Sequence, residues 1–184
     1  MKFWLGVLVG IGISMIVVIV VGSILTHQLL QEQKLPDPAL VLMNNDTRVD
    51  LNLSISELLT GKFADTNLFA NKVVVLHFWE YWCVTCNQEL ISLEQLYSKT
   101  KDSTIVFAII STMHRDRVKT DRAIHQIKLP FYYLESDLPS LFEDDDFPRT
   151  YIINRSGKLV VKEYGPRMWN TKKAIVLLDS LKHS

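Results

Sequence analysis

The sequence predicts an α/β domain, with a central mixed sheet flanked by helices, behind an N-terminal transmembrane helix. Three observations predict this architecture. Residues 3–25 carry no charge, apolar runs typical of buried strands alternate with helical patterns after residue 72, and a strand–turn–strand pattern with a helix closes the chain. Consecutive strands that are joined by a helix run parallel in a sheet, and the closing hairpin adds antiparallel strands.

The N-terminal segment, residues 1–30, is interpreted as a membrane anchor with its span at about residues 3–25. About 23 uncharged residues in a helix cover the roughly 30 Å of a bilayer core. The alternative is a cleaved signal peptide, whose apolar region is normally about 7–15 residues long. Gly6, Gly10 and Ser14 recur every four residues. This spacing lets two membrane helices approach closely, so the face could pack against a second copy of the chain or against a membrane partner.

The orientation of this anchor follows from a few charges. Lys2 precedes the span and Lys34 follows it. A short basic tail stays on the cytoplasmic side. We therefore predict a single-pass protein of the bacterial inner membrane whose C-terminal domain faces the periplasm or the cell exterior.

Residues 31–38 are predicted to be a linker, because Pro36 and Pro38 prevent the helix from continuing. The globular domain is predicted over residues 39–184. At the start of the domain, strand-like runs at residues 39–43 and 48–53 flank the turn residues "NNDT" and predict a hairpin. The stretch "SISELL" then predicts a helical turn capped by Ser54 or Ser56.

The middle of the domain alternates between strand and helix patterns. The apolar run 73–79 predicts a central strand buried on both faces, and residues 87–99 predict an amphipathic helix. Residues 104–111 and 131–136 predict further strands, joined by an amphipathic helix over 116–128.

The end of the chain predicts a hairpin and a helix. Residues 149–154 and 158–164 are strand-like and flank the turn dipeptide Ser156-Gly157. Residues 170–182 predict a helix capped by Asn170.

Composition excludes one class of partner. The chain has 20 basic and 20 acidic residues and no prominent basic run in the domain, so no nucleic-acid partner is expected. There are two cysteines, Cys83 and Cys86, and an exported domain of this size therefore depends on packing for its stability.

The cysteine pair follows a predicted buried strand and begins a predicted helix. At this position backbone N–H groups and the helix dipole favour a thiolate, so Cys83 is the predicted nucleophile. Cys86 lies about one turn further on and would attack the mixed disulfide that Cys83 forms with a substrate. The alternatives are that the pair is half of a zinc site or a static disulfide. Structural zinc needs four ligands, however, and a disulfide that closes so small a loop adds little to the stability of the fold.

Two separated motifs resemble the membrane-anchored thiol–disulfide oxidoreductases of the TlpA, ResA and CcmG (DsbE) type. The block "KVVVLHFWEYWCVTC" matches the redox motif of that family, and "PRTYIINRSGKLV" matches its second motif. The resemblance covers residues 36–182 and implies a thioredoxin-like fold. It also implies that Pro148 is cis and faces the cysteine pair, exposing the backbone of Phe147 to a substrate peptide, with Trp82 in the surface that partners touch.

The same resemblance implies a role for Glu89, three residues after Cys86, where the family carries a glutamate. A partly buried carboxylate one turn beyond Cys86 would accept or return the proton of the resolving thiol. From spacing alone, a solvated glutamate on a helix surface is the alternative.

Several residues depart from the family pattern or admit two interpretations. Glu80 and Tyr81 replace small residues and are expected at the lip of the site, where a negative charge would raise the pKa of Cys83. The dipeptide Val84-Thr85 lacks the histidine of strong oxidants, so a reducing role is expected.

Other side chains are expected to be structural or to have either of two roles. His77 is expected to be a hydrogen-bonded strand residue, and Trp79 to belong to the core. Arg149 is expected to contact substrate or to pair with the acidic loop 143–146.

The resemblance implies a protein reductant that acts on protein disulfides through Cys83 and Cys86 and needs no cofactor beyond that pair. It implies a membrane electron donor of the DsbD or CcdA kind, and apocytochrome c as the substrate during cytochrome c maturation. One alternative is a copper-handling protein in which Cys83 and Cys86 bind Cu(I), with Met113 and His114 as further ligands. A redox-inert docking domain is the other.

Overall fold

The structure is a computed structural model that describes residues 14–26, 35–43, 47–100, 102–144 and 146–183, without the side chains of residues 122 and 123. The chain forms two compact units, Met1–Lys34 and Leu35–Ser184. In the first unit, residues 14–26 are helical. Among the described residues, no helix combines the length and the apolarity needed to cross a membrane. Much of the predicted span, including Gly6 and Gly10, lies outside the described residues.

The second unit contains one six-stranded sheet with helices on its faces. Its strands and helices, in chain order, are β1 (Ile55–Glu57), β2 (Val73–Phe78), α1 (Val84–Thr100), β3 (Ile105–Ser111), α2 (Arg115–Lys119), α3 (Arg122–Gln126), β4 (Phe131–Leu134), a 3-10 turn (Ser140–Phe142), β5 (Arg149–Ile153), β6 (Leu159–Tyr164) and α4 (Lys172–Leu181).

The sheet is mixed, with the strand order β1-β4-β3-β2-β5-β6. The central strand β2 runs parallel to β3 and antiparallel to β5, with Val74 opposite Val106 and Phe78 opposite Arg149. β4 is parallel to β3, and β6 is antiparallel to β5. The carboxyl ends of β2, β3 and β4 therefore meet at one edge of the sheet, where ligand sites form in open α/β folds.

The core consists of an apolar cluster on each face of the sheet. Alternate side chains of β2 point to opposite faces, so Val75 belongs to the cluster that includes Leu90 of α1, whereas Leu76 belongs to the cluster that includes Phe142. Every residue of β2 is buried, His77 included, as its nearly unbroken apolar run predicts. Such burial fixes the end of β2, which leads directly into the cysteine pair.

The first segment of the domain differs from prediction. Residues 39–43 and 47–53 do not form a hairpin with each other. They lie along the sheet edge near β6, where Met43 N–H donates to Val160 O and Val49 N–H donates to Gly157 O, both at 2.9 Å. The predicted helical turn in "SISELL" is also wrong, because Ile55–Glu57 pairs with β4 as an edge strand.

Two predictions about helices are also corrected. The helix predicted over 116–128 is two short helices, α2 and α3, which are separated at Thr120 and Asp121. The cap of α4 is Thr171 rather than Asn170, because the Thr171 hydroxyl accepts the Ala174 N–H at 3.2 Å. The Asn170 side chain instead donates to Gln95. The predicted strands at 73–79, 104–111, 131–136, 149–154 and 158–164 are confirmed.

Candidate active site

The cysteine pair lies where β2 passes into α1. Cys83 immediately precedes the helix, Cys86 lies in its first turn, and the two sulfur atoms form a disulfide. The Cys86 N–H donates to Cys83 Sγ at 3.2 Å, and the Thr85 hydroxyl lies 3.5 Å from the same sulfur. Cys83 is 6% exposed and Cys86 is fully buried. Cys83 is therefore the more accessible of the two sulfur atoms to an incoming thiol.

The loop before β5 contacts the turn that carries the cysteine pair, through Phe147 and Trp82. The peptide bond between Phe147 and Pro148 is cis, which confirms the expectation from the resemblance. The ring of Phe147 packs edge-on against Trp82 with 5.8 Å between centroids, and Phe147 packs against the core cluster that contains both cysteines. Trp82 is 53% exposed, whereas Trp79 is fully buried, as predicted for each. Trp82 and Phe147 thus form an aromatic surface next to Cys83.

Glu89 lies inside the protein, one turn after Cys86 on α1. Its side chain is 1% exposed. The Trp169 indole N–H donates to Glu89 Oε1, whereas Oε2 is buried and no described residue forms a hydrogen bond of normal geometry with it. Burial raises the pKa of the Glu89 carboxyl to about 8, although the Trp169 hydrogen bond and the nearby Arg167 lower it. The solvated alternative is wrong, and the carboxyl can exchange a proton near neutral pH.

Glu80 is not at the lip of the site. It is fully buried, and its carboxylate accepts hydrogen bonds from the Ser111 hydroxyl, the Thr112 N–H, the Thr112 hydroxyl and the Met113 N–H at 2.7–3.1 Å. Its backbone carbonyl accepts the Cys83 N–H at 3.0 Å. Burial raises the pKa of Glu80, and these hydrogen bonds lower it. Glu80 therefore connects the cysteine turn to the loop after β3.

Arg149 is almost completely buried and contacts the loop before β5 from inside the protein. It is 2% exposed, and its guanidinium donates to the backbone carbonyls of Asp146 and Phe142 while lying over the rings of Phe78 and Phe147. Among the described residues, its hydrogen bonds to the acidic loop and the turn before it go to backbone oxygens. It therefore supports the loop that carries the cis bond.

His77 is a buried strand histidine, as predicted. Its Nδ1 lies 2.9 Å from the Thr150 hydroxyl. Burial lowers the pKa of the imidazole to about 3, and the charge of Arg149 acts in the same direction. His77 is therefore neutral at physiological pH.

The residues of the copper alternative lie in the loop after β3. Met113 is 41% exposed, and the His114 ring packs edge-on against Tyr81 with 6.5 Å between centroids. Within the part of the chain that the structure describes, no group of three or more His, Cys, Asp and Glu side chains is arranged to hold a metal ion.

Two residues around Glu89 carry no signal in the sequence. Trp169 and Ser92 surround it, and Trp169 lies 80 positions further along the chain. An aromatic residue just before a predicted helix is typical of ordinary packing, so neither residue was a candidate.

Comparison with known proteins identifies the family. The model of the Redoxin family matches residues 33–176. The chain is 26% identical over 102 residues to thioredoxin-like protein YneN of Bacillus subtilis, with 54% of this chain and 60% of YneN covered. It is 26% identical over 109 residues to thiol-disulfide oxidoreductase ResA of Bacillus cereus, with 58% of this chain and 63% of ResA covered. The chain thus spans less than two thirds of the length of these two relatives.

Solved structures support the same fold. A putative thiol:disulfide interchange protein DsbE from Chlorobium tepidum superposes with a TM-score of 0.58 at 16% identity, over 81% of this chain and 98% of that one. A putative thiol-disulfide oxidoreductase from Bacteroides vulgatus superposes with a TM-score of 0.60 at 23% identity, over 76% and 99% of the two chains. The domain has a thioredoxin-like fold, and the chain belongs to the Redoxin family.

Proposed function

We propose that this protein is a thiol–disulfide oxidoreductase that reduces protein disulfides with the Cys83–Cys86 pair. The observation that carries the proposal is the geometry of the pair: a disulfide at the start of α1, with the Cys86 N–H directed at Cys83 Sγ, beside the exposed Trp82. The similarity to ResA of Bacillus cereus, a thiol-disulfide oxidoreductase, supports the same chemistry.

The reaction begins with the reduced protein. The Cys83 thiolate attacks one sulfur of the substrate disulfide, the substrate S–S bond breaks, and the leaving sulfur departs as a thiolate that takes a proton. Cys86 then loses its proton and attacks Cys83 Sγ, which releases the second substrate sulfur. Two electrons pass to the substrate, whose disulfide becomes two thiols, and the protein is left with the Cys83–Cys86 disulfide.

Glu89 is the proposed acceptor of the Cys86 proton. Cys86 is fully buried, so its thiol has no direct contact with water, and Glu89 follows it by one turn on the same helix. A carboxyl whose pKa is about 8 is partly ionised at neutral pH and can both take up and return a proton.

The substrate is proposed to be an extended protein segment that binds across Trp82 and the loop at Phe147 and Pro148. The resemblance implies that the backbone before Pro148 is available for strand-like pairing, and the rings of Trp82 and Phe147 supply apolar contact. A groove of about 470 Å³, lined in part by Met113, Leu138 and Phe147, continues this surface. By resemblance, the substrate is apocytochrome c, whose heme-binding cysteines would be reduced.

The reducing direction, the membrane anchor and the electron donor are further parts of this proposal. The cysteine pair encloses Val84-Thr85 without the histidine of strong oxidants, and residues 3–25 are uncharged. Such an anchor would hold the domain on the periplasmic or outer face of the inner membrane. A membrane donor of the DsbD or CcdA kind would then return electrons to the Cys83–Cys86 disulfide.

Trapping tests the chemistry. In Cys86→Ser, the resolving thiol is absent, so Cys83 should hold its partners in mixed disulfides that survive denaturing electrophoresis and disappear after reduction. The matched control is Cys83→Ser, which should hold none. Equal trapping by both variants, or by neither, would show that Cys83 is not the nucleophile.

Membrane extraction tests the anchor. The full chain should remain with the bilayer after alkaline carbonate treatment, whereas a variant that lacks residues 1–34 should be released. Release of the full chain would contradict the anchor without affecting the proposed redox chemistry.

A further inference from the structure

The two carboxylate oxygens of Glu89 have different hydrogen-bonding environments. Oε1 accepts the indole N–H of Trp169, which is fully buried. Oε2 is buried and receives no hydrogen bond of normal geometry from a described residue. A carboxylate held through one oxygen keeps the lone pairs of the other for a proton.

Trp169 is itself held in place from α1. Its backbone N–H donates to the Ser92 hydroxyl at 3.0 Å, and that hydroxyl donates to the Glu89 backbone carbonyl at 2.8 Å. Ser92 is buried, so these two bonds join the loop before α4 to the turn of α1 that carries Glu89. The indole position is therefore set by the same helix that carries the cysteine pair.

The charged groups facing Glu89 come from the end of the hairpin and the loop after it. They are Arg167, which favours the carboxylate, and Glu163, which opposes it, and the two form a salt bridge of 3.1 Å with each other. Because these charges partly cancel, the indole hydrogen bond is the contact that most favours ionised Glu89, followed by a backbone hydrogen bond from Arg167.

We propose that Trp169 is a positioning residue for the redox site: its indole N–H holds Glu89 Oε1, so that Oε2 is the atom that takes the proton from Cys86. This inference rests on the proposed function, in which Glu89 accepts that proton. The indole favours the carboxylate over the carboxylic acid and so maintains a proton acceptor beside the resolving cysteine.

The test replaces the indole and titrates Glu89 directly. Trp169→Phe keeps an aromatic ring in the core and removes the N–H donor together with the second ring of the indole, and the same loss of volume in Trp79→Phe serves as its control. Glu89 is followed by carbon-13 NMR of labelled glutamate in the oxidised full-length protein in detergent, where neither cysteine titrates. Loss of a hydrogen bond to the charged form should raise the pKa of Glu89 by about one pH unit.

The kinetic consequence follows from that shift. A rise of about one unit leaves about tenfold fewer Glu89 carboxylates at pH 7, so thiol–disulfide exchange should slow by up to about tenfold there, and its pH profile should move upward by the same unit. In a Glu89→Gln background, Trp169→Phe should leave the pH profile unchanged, because Trp169 acts through Glu89.

Trp79 provides the matched control. It is fully buried like Trp169, but no described residue accepts its indole N–H. Trp79→Phe should therefore leave the Glu89 titration unchanged. The proposal is overturned if Trp169→Phe does not move the pKa of Glu89, or if Trp79→Phe moves it as far.

A measurement on the unaltered protein covers the case in which Trp169→Phe does not fold. The nitrogen-15 indole signal of Trp169 should titrate with Glu89, with a midpoint near pH 8, and this titration should vanish in Glu89→Gln. An indole signal that is constant with pH would overturn the proposal. The proposed function has a separate criterion, since an unchanged exchange profile in Glu89→Gln contradicts Glu89 as proton acceptor whatever the indole signal does.

Discussion

Two buried glutamates lie on either side of the cysteine pair, and their surroundings differ. Glu80, before the pair, accepts four hydrogen bonds through both carboxylate oxygens. Glu89, after the pair, accepts the Trp169 indole N–H through Oε1, whereas none of the described residues donates a hydrogen bond of normal geometry to Oε2. Burial raises the pKa of both, but only Glu89 is left with an oxygen free for a proton. The comparison indicates that the number of hydrogen bonds a buried carboxylate accepts, rather than its burial, distinguishes a structural carboxylate from one that can exchange a proton.

The largest expected effect is on stability, from Glu80→Ala. Removal of the buried carboxylate leaves the donors of Ser111, Thr112 and Met113 without their acceptor, so the free energy of unfolding should fall by about 3 kcal/mol. Urea unfolding at pH 7, with the disulfide intact, measures this.

Glu143→Ala is the control for Glu80→Ala, because Glu143 is exposed. Its effect on the free energy of unfolding should lie within about 0.5 kcal/mol. A loss of less than about 1 kcal/mol in Glu80→Ala would show that Glu80 does not hold the loop after β3 in place.

The second prediction concerns the rate of exchange. Glu89→Gln keeps the shape of the side chain and removes its titratable proton, so reaction of the reduced protein with a peptide disulfide should slow by about a hundredfold at pH 8. The rise in rate around pH 8 should also disappear, because it follows ionisation of Glu89.

Glu80→Gln is the matched variant for that experiment. Its rate per folded molecule should keep the inflection near pH 8, because both oxygens of Glu80 are already occupied by donors. If Glu80→Gln loses the inflection and Glu89→Gln keeps it, the roles of the two glutamates are reversed.

The third prediction is a pH dependence of stability. The folded protein holds a proton on Glu89 up to about pH 8, whereas the unfolded chain releases it near the ordinary value of 4.5. The contribution of this group is therefore complete below pH 4.5 and is lost as pH rises through about 8. Between pH 6 and pH 8 the oxidised protein should lose about 2 kcal/mol of unfolding free energy through Glu89.

Urea unfolding of the oxidised protein at both pH values measures that loss. Glu89→Gln should show a smaller fall in stability over the same interval, by about the amount assigned to Glu89. An equal fall in the two proteins would mean that Glu89 is already ionised in the folded protein at pH 6.

Local patterns predict much of this fold. The run 73–79 predicts β2 because a strand covered on both faces needs apolar side chains at every position, and the spacing of leucines predicts α1. The cis bond before Arg149 and the burial of Glu89 follow from the resemblance rather than from periodicity.

The features that sequence reasoning missed depend on distant contacts. Strand β1 is only three residues long, and its pairing places Ser56 opposite Tyr133, which no local pattern reveals. The donors of Glu80 lie 31–33 positions further along the chain, and a charged residue beside the cysteines is ordinarily exposed. Trp169 contacts Glu89 across 80 positions. The assignment of each glutamate therefore required the tertiary structure.

The smallest expected effects come from two buried serines, one beside each glutamate. Ser111→Ala removes one of the four donors to Glu80, and Ser92→Ala removes the acceptor of the Trp169 backbone N–H. Each substitution should lower the free energy of unfolding by about 1 kcal/mol. Their effects on exchange should differ. Ser111→Ala should leave the pH profile in place because Glu80 keeps three donors, whereas Ser92→Ala should move the profile upward, because a displaced Trp169 holds Glu89 less well. Stopped-flow measurement of the thiol–disulfide exchange rate from pH 6 to 9 distinguishes the two variants. If the pH profile of Ser111→Ala moves upward as far as that of Ser92→Ala, the proposed difference between Glu80 and Glu89 is contradicted.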